Sequence, residues 1–446
     1  MTWLYLALIA AAIAWHLMRR QRSERAHHEA LQQSVAAGLN EPPSLHPKVD
    51  PARCIGSGGC LKACPEEALG MVGGKAVLIN ASACIGHGAC EAACPHGAIQ
   101  LVFGTEKRGI DIPVLQPDFQ TNVPGLFIAG ELGGMGLIRK AAGQGQQAIG
   151  HIARYLREAP ANEAGASASA TDGSTSPHWL DVLIIGAGPA GLAAGLAATD
   201  QKLAYRILEQ EPSLGGAIFH YPRQKIAMTA PMTLPLVGLV KMSEISKEAL
   251  LDFWQGVVQR FALDLHLDER MERVEAVPGG FAVHTARGLH HSRSVLLAIG
   301  RRGTPRTLGV PGEDLPKVTY RLIDPAQYRD QQVLVVGGGD SALEAALALA
   351  AEPGTGVTLS YRSEAFSRVK PKNRDALLAA EAAGRLQVRL KSQVMSLQPE
   401  SATLRLADGS TVTRPNDAVI VCAGGVLPTP LLQAMGVRFE TKHGQA

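Results

Sequence analysis

The sequence predicts an α/β chain with two doubly wound units, a small cysteine-rich α+β module and an apolar N-terminal helix. Three observations carry that prediction. Two apolar runs, "DVLIIGAGPAGLAAGLAA" from Asp181 and "VLVVGGGDSALEAALALA" from Val333, each pass through clustered glycines into a small-residue helix. A twelve-residue stretch, "CIGSGGCLKACP" at residues 54 to 65, recurs as "CIGHGACEAACP" at residues 84 to 95 with eight letters shared. Finally, 48 glycines, 46% hydrophobic and 4% aromatic residues in a chain of 446 suit two or three domains of the α/β kind.

The N-terminal segment "TWLYLALIAAAIAWHLM", residues 2 to 18, is apolar apart from Thr2 and His16. As a helix it would rise about 25 Å, enough to cross a hydrocarbon core with little tilt. Trp3, Tyr5 and Trp15 sit near its ends, where amphipathic rings favour the interface, and Arg19, Arg20, Arg22 and Arg25 follow. The positive-inside rule therefore predicts a single-pass transmembrane helix over residues 1–20 in the cell inner membrane, with everything after it cytoplasmic. A signal peptide would need a basic leading region and a small-residue cleavage site, and neither is evident. Residues 21–47 read as a polar linker. The net charge of +3 is spread without a long basic block, which excludes nucleic acid as a partner.

Six of the seven cysteines fall within 41 residues at repeated spacings, unlike the disulfide framework of a secreted fold. Metal ligation in a reducing compartment fits that pattern. Cys422, in the apolar run "AVIVCAGG", reads as core packing. Zinc stays open as the metal, although zinc sites favour C-x-x-C pairs and no two cysteines here stand that close.

In the first glycine-bearing run, Gly186 makes the tight turn, Gly188 lets backbone approach a pyrophosphate, and Gly191 allows close helix packing, with the phosphate at the helix N-terminus. Glu209 closes the next strand, where an acid bonds a ribose hydroxyl. The second run has Gly337 and Gly339 with Ala342 in third place, and its following strand, "GVTLSYRSEAF", ends without an acid. Arg362 stands there instead, with Arg368, Lys370 and Lys372 nearby, as a 2′-phosphate would require. Both units are Rossmann-like dinucleotide-binding domains by this reading.

Together with "EPSLGGAIFHYPR", "SVLLAIGRRGTPRTLGVPGE" and "AVIVCAGGVLPTP", these motifs resemble the thioredoxin reductase-like flavoproteins over residues 180 to 440. The resemblance implies FAD in the first unit, lined by Gly186, Gly188, Gly191, Glu209, Gly215 and Gly216. It implies NADPH in the second, lined by Gly337, Gly339, Asp340, Ser341 and Arg362. His220, Tyr221 and Arg223 stand beside the flavin motif as further candidates. The redox C-x-x-C of a thioredoxin reductase is missing from "VTYRLIDPAQYRDQQ", so thiol exchange lacks its nucleophile. That region looks more like the thioredoxin reductase-type ferredoxin-NADP reductases.

This family closes its flavin unit with a "PGLFAAGD" type strand and helix. Here the matching stretch, "TNVPGLFIAGELGGMGLIRKAAGQGQQAIGHIARYL" at residues 121 to 156, precedes the unit. Its Gly130 and Glu131 occupy the Gly-Asp position. The expected order is a circular permutation: a permuted closing segment at 105–158, a flexible Ala/Ser/Gly-rich linker at 159–178, an FAD domain at 179–304, an NADPH domain at 305–421, and a return to the FAD domain at 422–446.

The cysteine repeat resembles two-cluster bacterial ferredoxins over residues 48–104, in which the fourth cysteine of each motif serves the other cluster. That implies one iron-sulfur site with Cys54, Cys60 and Cys94 and Ser57 at the variant position, and another with Cys84, Cys90 and Cys64 and His87. Each site would hold a 4Fe-4S or a 3Fe-4S cluster. The function expected is a membrane-anchored oxidoreductase passing electrons from NADPH through FAD to two clusters and on to an acceptor, a quinone or a redox protein. A homodimer is allowed. The alternative is a redox sensor or electron-relay subunit with little turnover.

Overall fold

The computed structural model describes residues 2–36, 39, 42, 45–84, 86, 88–106, 109–133, 137–158, 179–221, 223, 225–229, 231–242, 244–301, 303–366 and 369–444. His87, Arg368 and the 159–178 linker lie outside the described residues.

From Thr2 the chain runs as a single helix, α1 (Thr2–Ala36). The expected linker therefore begins later than residue 21. Residues 19 to 36 are mostly Arg, Glu, Ala, Leu, Gln and His, with neither Gly nor Pro to stop helix propagation. The second half of α1 has a docked face. Glu24 Oε1 accepts from the Gly74 N–H at 2.8 Å and His27 Nδ1 accepts from the Met71 N–H at 3.1 Å. Ser34 on the same face is buried. The first half is bare, with Trp3, Tyr5, Leu6, Ile9, Ile13, Trp15, Leu17 and Met18 all exposed. Among the described residues no helix is long and apolar enough to cross a membrane. The apolar run is a stretch of a longer helix whose remainder is polar and packed on protein.

The cysteine module follows. Strand His46–Val49 pairs antiparallel with Ile99–Val102, and Leu69–Val72 pairs antiparallel with Lys75–Leu78. Two short helices, α2 (Gly59–Ala63) and α3 (Ala89–Ala92), repeat one another as the sequence does. The core between them is small: Leu69, Ala76, Ala98 and Ile99 pack with Cys54, Cys60 and Cys90.

The first nucleotide unit is built on a five-stranded parallel sheet. Its order is Leu265–His266, Tyr205–Leu208, Val182–Ile185, Val295–Leu297 and Leu126–Ile128. The strands Val182–Ile185 and Val295–Leu297 are continuous apolar runs because both faces of the sheet are covered, one by helices and the other by the antiparallel strands Met271–Val277 and Gly280–Thr285. The last strand precedes the glycine turn in sequence yet lies beyond Val295–Leu297 in the sheet, in register Val295 to Leu126 and Leu297 to Ile128. After it, α4 (Ile138–Glu158) packs against α5 (Pro189–Asp200). Ile149 and Ile152 of α4 are fully buried with Leu192 and Leu196 of α5 in one core. Burying each such side chain contributes about 1.5–3 kcal/mol. The approach is close: a Cβ on Gly145 would stand 1.9 Å from the Ala190 carbonyl oxygen. Helix α6 (Lys247–Phe261), capped by Ser246 accepting from the Ala249 N–H at 3.2 Å, adds Leu250, Trp254 and Val257 to that core.

The second unit repeats the plan with strands Val318–Thr319, Ala418–Val421, Gln332–Val336, Gly356–Tyr361 and Gln387–Leu390, all parallel. Helices α7 (Asp340–Ala350) and α8 (Pro371–Ala382) pack on it. A short ribbon, Thr304–Pro305 against Gly425–Val426, joins the two units. The strand Phe439–Lys442 returns to pair antiparallel with Ile110–Pro113. Beside that pair the Gly444 N–H donates to the Phe103 carbonyl at 2.8 Å.

Candidate functional site

The carboxyl ends of both parallel sheets open into one cavity of about 2080 Å³. In the first unit, the buried strand Val182–Ile185 ends at Gly186, and the chain turns into α5. A Cβ on Gly191 would meet the Gly186 carbonyl oxygen at 1.8 Å, so only glycine lets the helix start that close to the turn. Gly186, Gly188, Glu209, Gly216 and Glu131 line the cavity. Gly191, Gly215 and Gly130 stand behind that lining: the Gly215 N–H donates to the Ala187 carbonyl at 2.8 Å, and the Gly130 N–H donates to Gln144 Oε1 at 2.8 Å.

Glu209 is 5% exposed. Its Oε2 accepts from the Ala187 N–H at 2.8 Å and its Oε1 from the Glu211 N–H at 3.1 Å. Burial pushes its carboxyl up, and those two N–H groups pull it back. Each oxygen keeps a lone pair, which suits a ribose hydroxyl donating from the cavity.

On the second unit's side, Gly337, Gly339, Asp340, Ser341 and Arg362 line the same cavity. Arg362 follows strand Gly356–Tyr361 and is exposed. The Asp340 carboxylate is already engaged: its Oδ1 accepts from the Lys370 N–H at 3.0 Å and from Asn373 Nδ2 at 2.7 Å. Lys372 is exposed, while Lys370 pairs with Glu66 of the cysteine module at 3.8 Å. Cys422 lies one residue past its strand, half-buried, where it packs against the second unit's core as expected and also borders the cavity.

Sequence reading missed the polar seam between the two units. Lys225 pairs with Glu344 at 2.8 Å, Arg223 with Asp324 at 3.5 Å, and His220 with Glu211 at 3.5 Å, while Arg321 contacts His220 and Glu211. His220 and Tyr221 do line the cavity. Arg301 was also missed. It lines the cavity near Glu131, and burial lowers its pKa against the opposing charges of Glu131 and Asp111. Nothing local in "AIGRRG" distinguishes that arginine from a solvated one.

The six clustered cysteines fall into two sets. Cys60 shares its surroundings with Cys54 and Cys94, and burial together with their charges pushes its thiol up. Burial pushes Cys90 up to about 11, with Cys84 and Cys64 adding to the effect, and Cys84 rises for the same reason with Cys64 and Glu66 as neighbours. The Ala76 N–H donates to Cys54 Sγ at 3.5 Å and the Ala98 N–H to Cys94 Sγ at 3.3 Å. Cys64, Cys84 and Cys90 border a small cavity of their own. Three thiols crowded in an apolar shell are costly as thiolates unless positive iron offsets them, so these residues fit a cluster. Among the described residues no group of three His, Cys, Asp or Glu side chains could hold a single metal ion. Ser57 lies exposed in the loop between Cys54 and Cys60.

Residues 183–445 match the family described as pyridine nucleotide-disulphide oxidoreductase, and residues 46–95 match a 4Fe-4S dicluster domain. A ferredoxin–NADP reductase of Paracidovorax citrulli (strain AAC00-1) is 31% identical over 265 residues, covering 55% of this chain and 71% of its own. Bacilliredoxin reductase Bdr of Bacillus subtilis (strain 168) is 25% identical over 268 residues, covering 59% of this chain and 82% of its own. Among solved structures, bacillithiol disulfide reductase Bdr from Staphylococcus aureus aligns with a TM-score of 0.52 at 25% identity, over 58% of this chain and 81% of that one.

Proposed function

The chain belongs to the pyridine nucleotide-disulphide oxidoreductase family, as an FAD-dependent enzyme with a 4Fe-4S dicluster domain, and on that premise we propose that it carries electrons from NADPH to iron-sulfur clusters and then to an outside acceptor. The observation that carries this reading is the single cavity reaching from Gly186 and Glu209 to Gly337 and Arg362, with the cysteine module joined to its wall. When bound, FAD takes a hydride as an electron pair and releases electrons singly, the form in which iron-sulfur centres accept them.

The chain's own residues would divide the work. The Gly186–Gly188 turn and the α5 N-terminus hold a pyrophosphate, and Glu209 fixes a ribose. Glu131, which lines the cavity near Arg301, would accept from a ribityl hydroxyl. Arg362 selects the 2′-phosphate. Cys54, Cys60 and Cys94 would hold one cluster, and Cys64, Cys84 and Cys90 the other, with Ser57 and His87 as the further candidate ligands. We read residues 105–158 as the closing segment of the FAD domain carried ahead of it. The support is the edge strand Leu126–Ile128 and the burial of α4 against α5.

Disulfide reduction, the activity named for the bacillithiol relative, would require a cysteine facing the flavin. Of the seven, only Cys422 borders the large cavity. An acceptor near the inner membrane is supported by the bare apolar half of α1 and the arginines that follow it. Cell fractionation with carbonate extraction, together with an activity reporter at the C-terminus, separates a span from a surface contact. The central test is anaerobic: purified protein with FAD and iron should reduce ferricyanide with NADPH far faster than background. Turnover at background would favour a sensor over a reductase.

A further inference from the structure

The two cysteine sets are not equivalent in their surroundings. The loop carrying Cys84 and Cys90 lies against the first turn of α4: a Cβ on Gly88 would stand 3.0 Å from Lys140 Nζ. Ile138 and Ala141, flanking Lys140 on that turn, line the large cavity. One helical turn thus separates this cysteine loop from the flavin unit's wall. Glu66, two residues after Cys64, pairs with Lys370, whose backbone N–H donates to cavity-lining Asp340. The Cys64, Cys84 and Cys90 set therefore touches both nucleotide units.

The other set faces away. Lys75 Nζ donates to the Cys54 carbonyl at 2.6 Å and the Ala76 N–H to its sulfur, tying the set to the hairpin on which α1 docks through Glu24 and His27. Ile55 is 65% exposed and Ser57 is exposed beside it. Among the described residues no hydrogen bond or ion pair joins residues 54–59 to either nucleotide unit.

We propose that the sets act in series. Cys64, Cys84 and Cys90 form the inward station, which receives electrons leaving the flavin end of the cavity. Cys54, Cys60 and Cys94 form the outward station, which delivers them at the exposed loop around Ile55 and Ser57. Electron transfer falls steeply with distance, so contact with the cavity wall decides which station is loaded first. For each NADPH oxidised to NADP⁺, two electrons pass as hydride and leave singly, one to each station, while one proton is released to water. The proposal rests on the reading that both sets hold clusters, and the test separates the two ideas.

Full-length protein is purified anaerobically, and EPR with iron analysis first establishes two reducible signals. A single signal or none would overturn the two-cluster reading itself and the series with it. Cys90→Ala should then remove one signal. NADPH should still reduce the flavin, but reduction of the remaining signal should slow at least tenfold, although dithionite reduces it fully. Cys60→Ala should remove the other signal and leave the inward one reduced at the wild-type rate. Wild-type loading of the outward station in Cys90→Ala, or loss of inward loading in Cys60→Ala, overturns the order. Should Cys90→Ala cost both clusters, Lys140→Glu decides. Charge reversal beside the inward loop should lower the midpoint potential of the signal that survives in Cys60→Ala and leave the other unmoved. Equal shifts, or a shift of the outward signal alone, overturn the proposal.

Discussion

Replacing Gly145 with alanine tests whether α4 is part of the flavin unit. The added Cβ would lie 1.9 Å from the Ala190 carbonyl oxygen, whereas real Cβ atoms essentially never come within 3.0 Å of another heavy atom. The helices must separate locally by the difference, about 1.1 Å, and Ala190 sits in the first turn of α5, which lines the cavity. Overpacking of this kind costs about 1–3 kcal/mol. If the strain falls on the FAD-bound geometry, affinity for FAD drops roughly 5- to 150-fold at about 1.4 kcal/mol per decade. The control is in the same helix: a Cβ on Gly143 or Gly150 meets nothing within 4 Å. Alanine there should be neutral or stabilising by up to about 1 kcal/mol through helix propensity. The assay is thermal unfolding of each variant, with FAD retention read from absorbance after gel filtration. Retention of stoichiometric FAD by Gly145→Ala, with a melting temperature equal to that of Gly143→Ala, would refute the close α4–α5 contact and with it the placement of residues 138–158.

Arg362→Ala should raise KM for NADPH by roughly 10- to 100-fold, the worth of a charged hydrogen bond of about 1.5–3 kcal/mol, and leave KM for NADH nearly unchanged; steady-state kinetics with both nucleotides checks it. Ser57→Cys and His87→Cys should each lower the midpoint potential of one EPR signal, because an added thiolate brings negative charge to the cluster; unmoved potentials in both would show that these positions do not touch clusters. Burial raises the Glu269 carboxyl, but hydrogen bonds from His290 at 2.7 Å and Thr285 at 2.8 Å outweigh it and hold the group below 4.5. A depressed folded pKa means the stabilisation is present above about pH 4.5 and is lost as pH falls through the folded value. Melting temperature should therefore fall more steeply with acid in the wild type than in Glu269→Gln.

The glycine turns at Gly186 and Gly337 were legible because their chemistry is local: a buried strand, a tight turn and a small-residue helix must follow one another directly. The edge strand Leu126–Ile128 was legible only through the resemblance of "PGLFIAGE" to the family's closing "PGLFAAGD" type motif, since nothing local says which sheet an apolar strand running into a glycine will join. The docking of α1 was not. Glu24 meets Gly74 and His27 meets Met71 across about fifty residues of chain, and a polar helix that packs on a hairpin has the composition of one that packs on water. The seam of Lys225, Glu344, His220, Glu211 and Arg321 was hidden for the same reason, because ion pairs across domains leave no spacing to read. Arg301 became visible only once Glu131 and Asp111, from an earlier stretch of chain, were seen beside it.

The pairing of Leu126–Ile128 with Val295–Leu297 also bears on biosynthesis. The ribosome makes the edge strand first and its partner some 167 residues later, as the numbering of Ile128 and Val295 shows. At about 5–20 residues per second, the strand and the apolar face of α4 wait roughly ten to thirty seconds for a sheet to join. The cysteine module, whose strands all lie between His46 and Val102, completes its own pairing in that interval. A nascent chain with a paired cysteine module and an unfinished flavin sheet is thus an expected stage of synthesis. Chaperone demand should concentrate on residues 126–158 until Leu297 has left the exit tunnel.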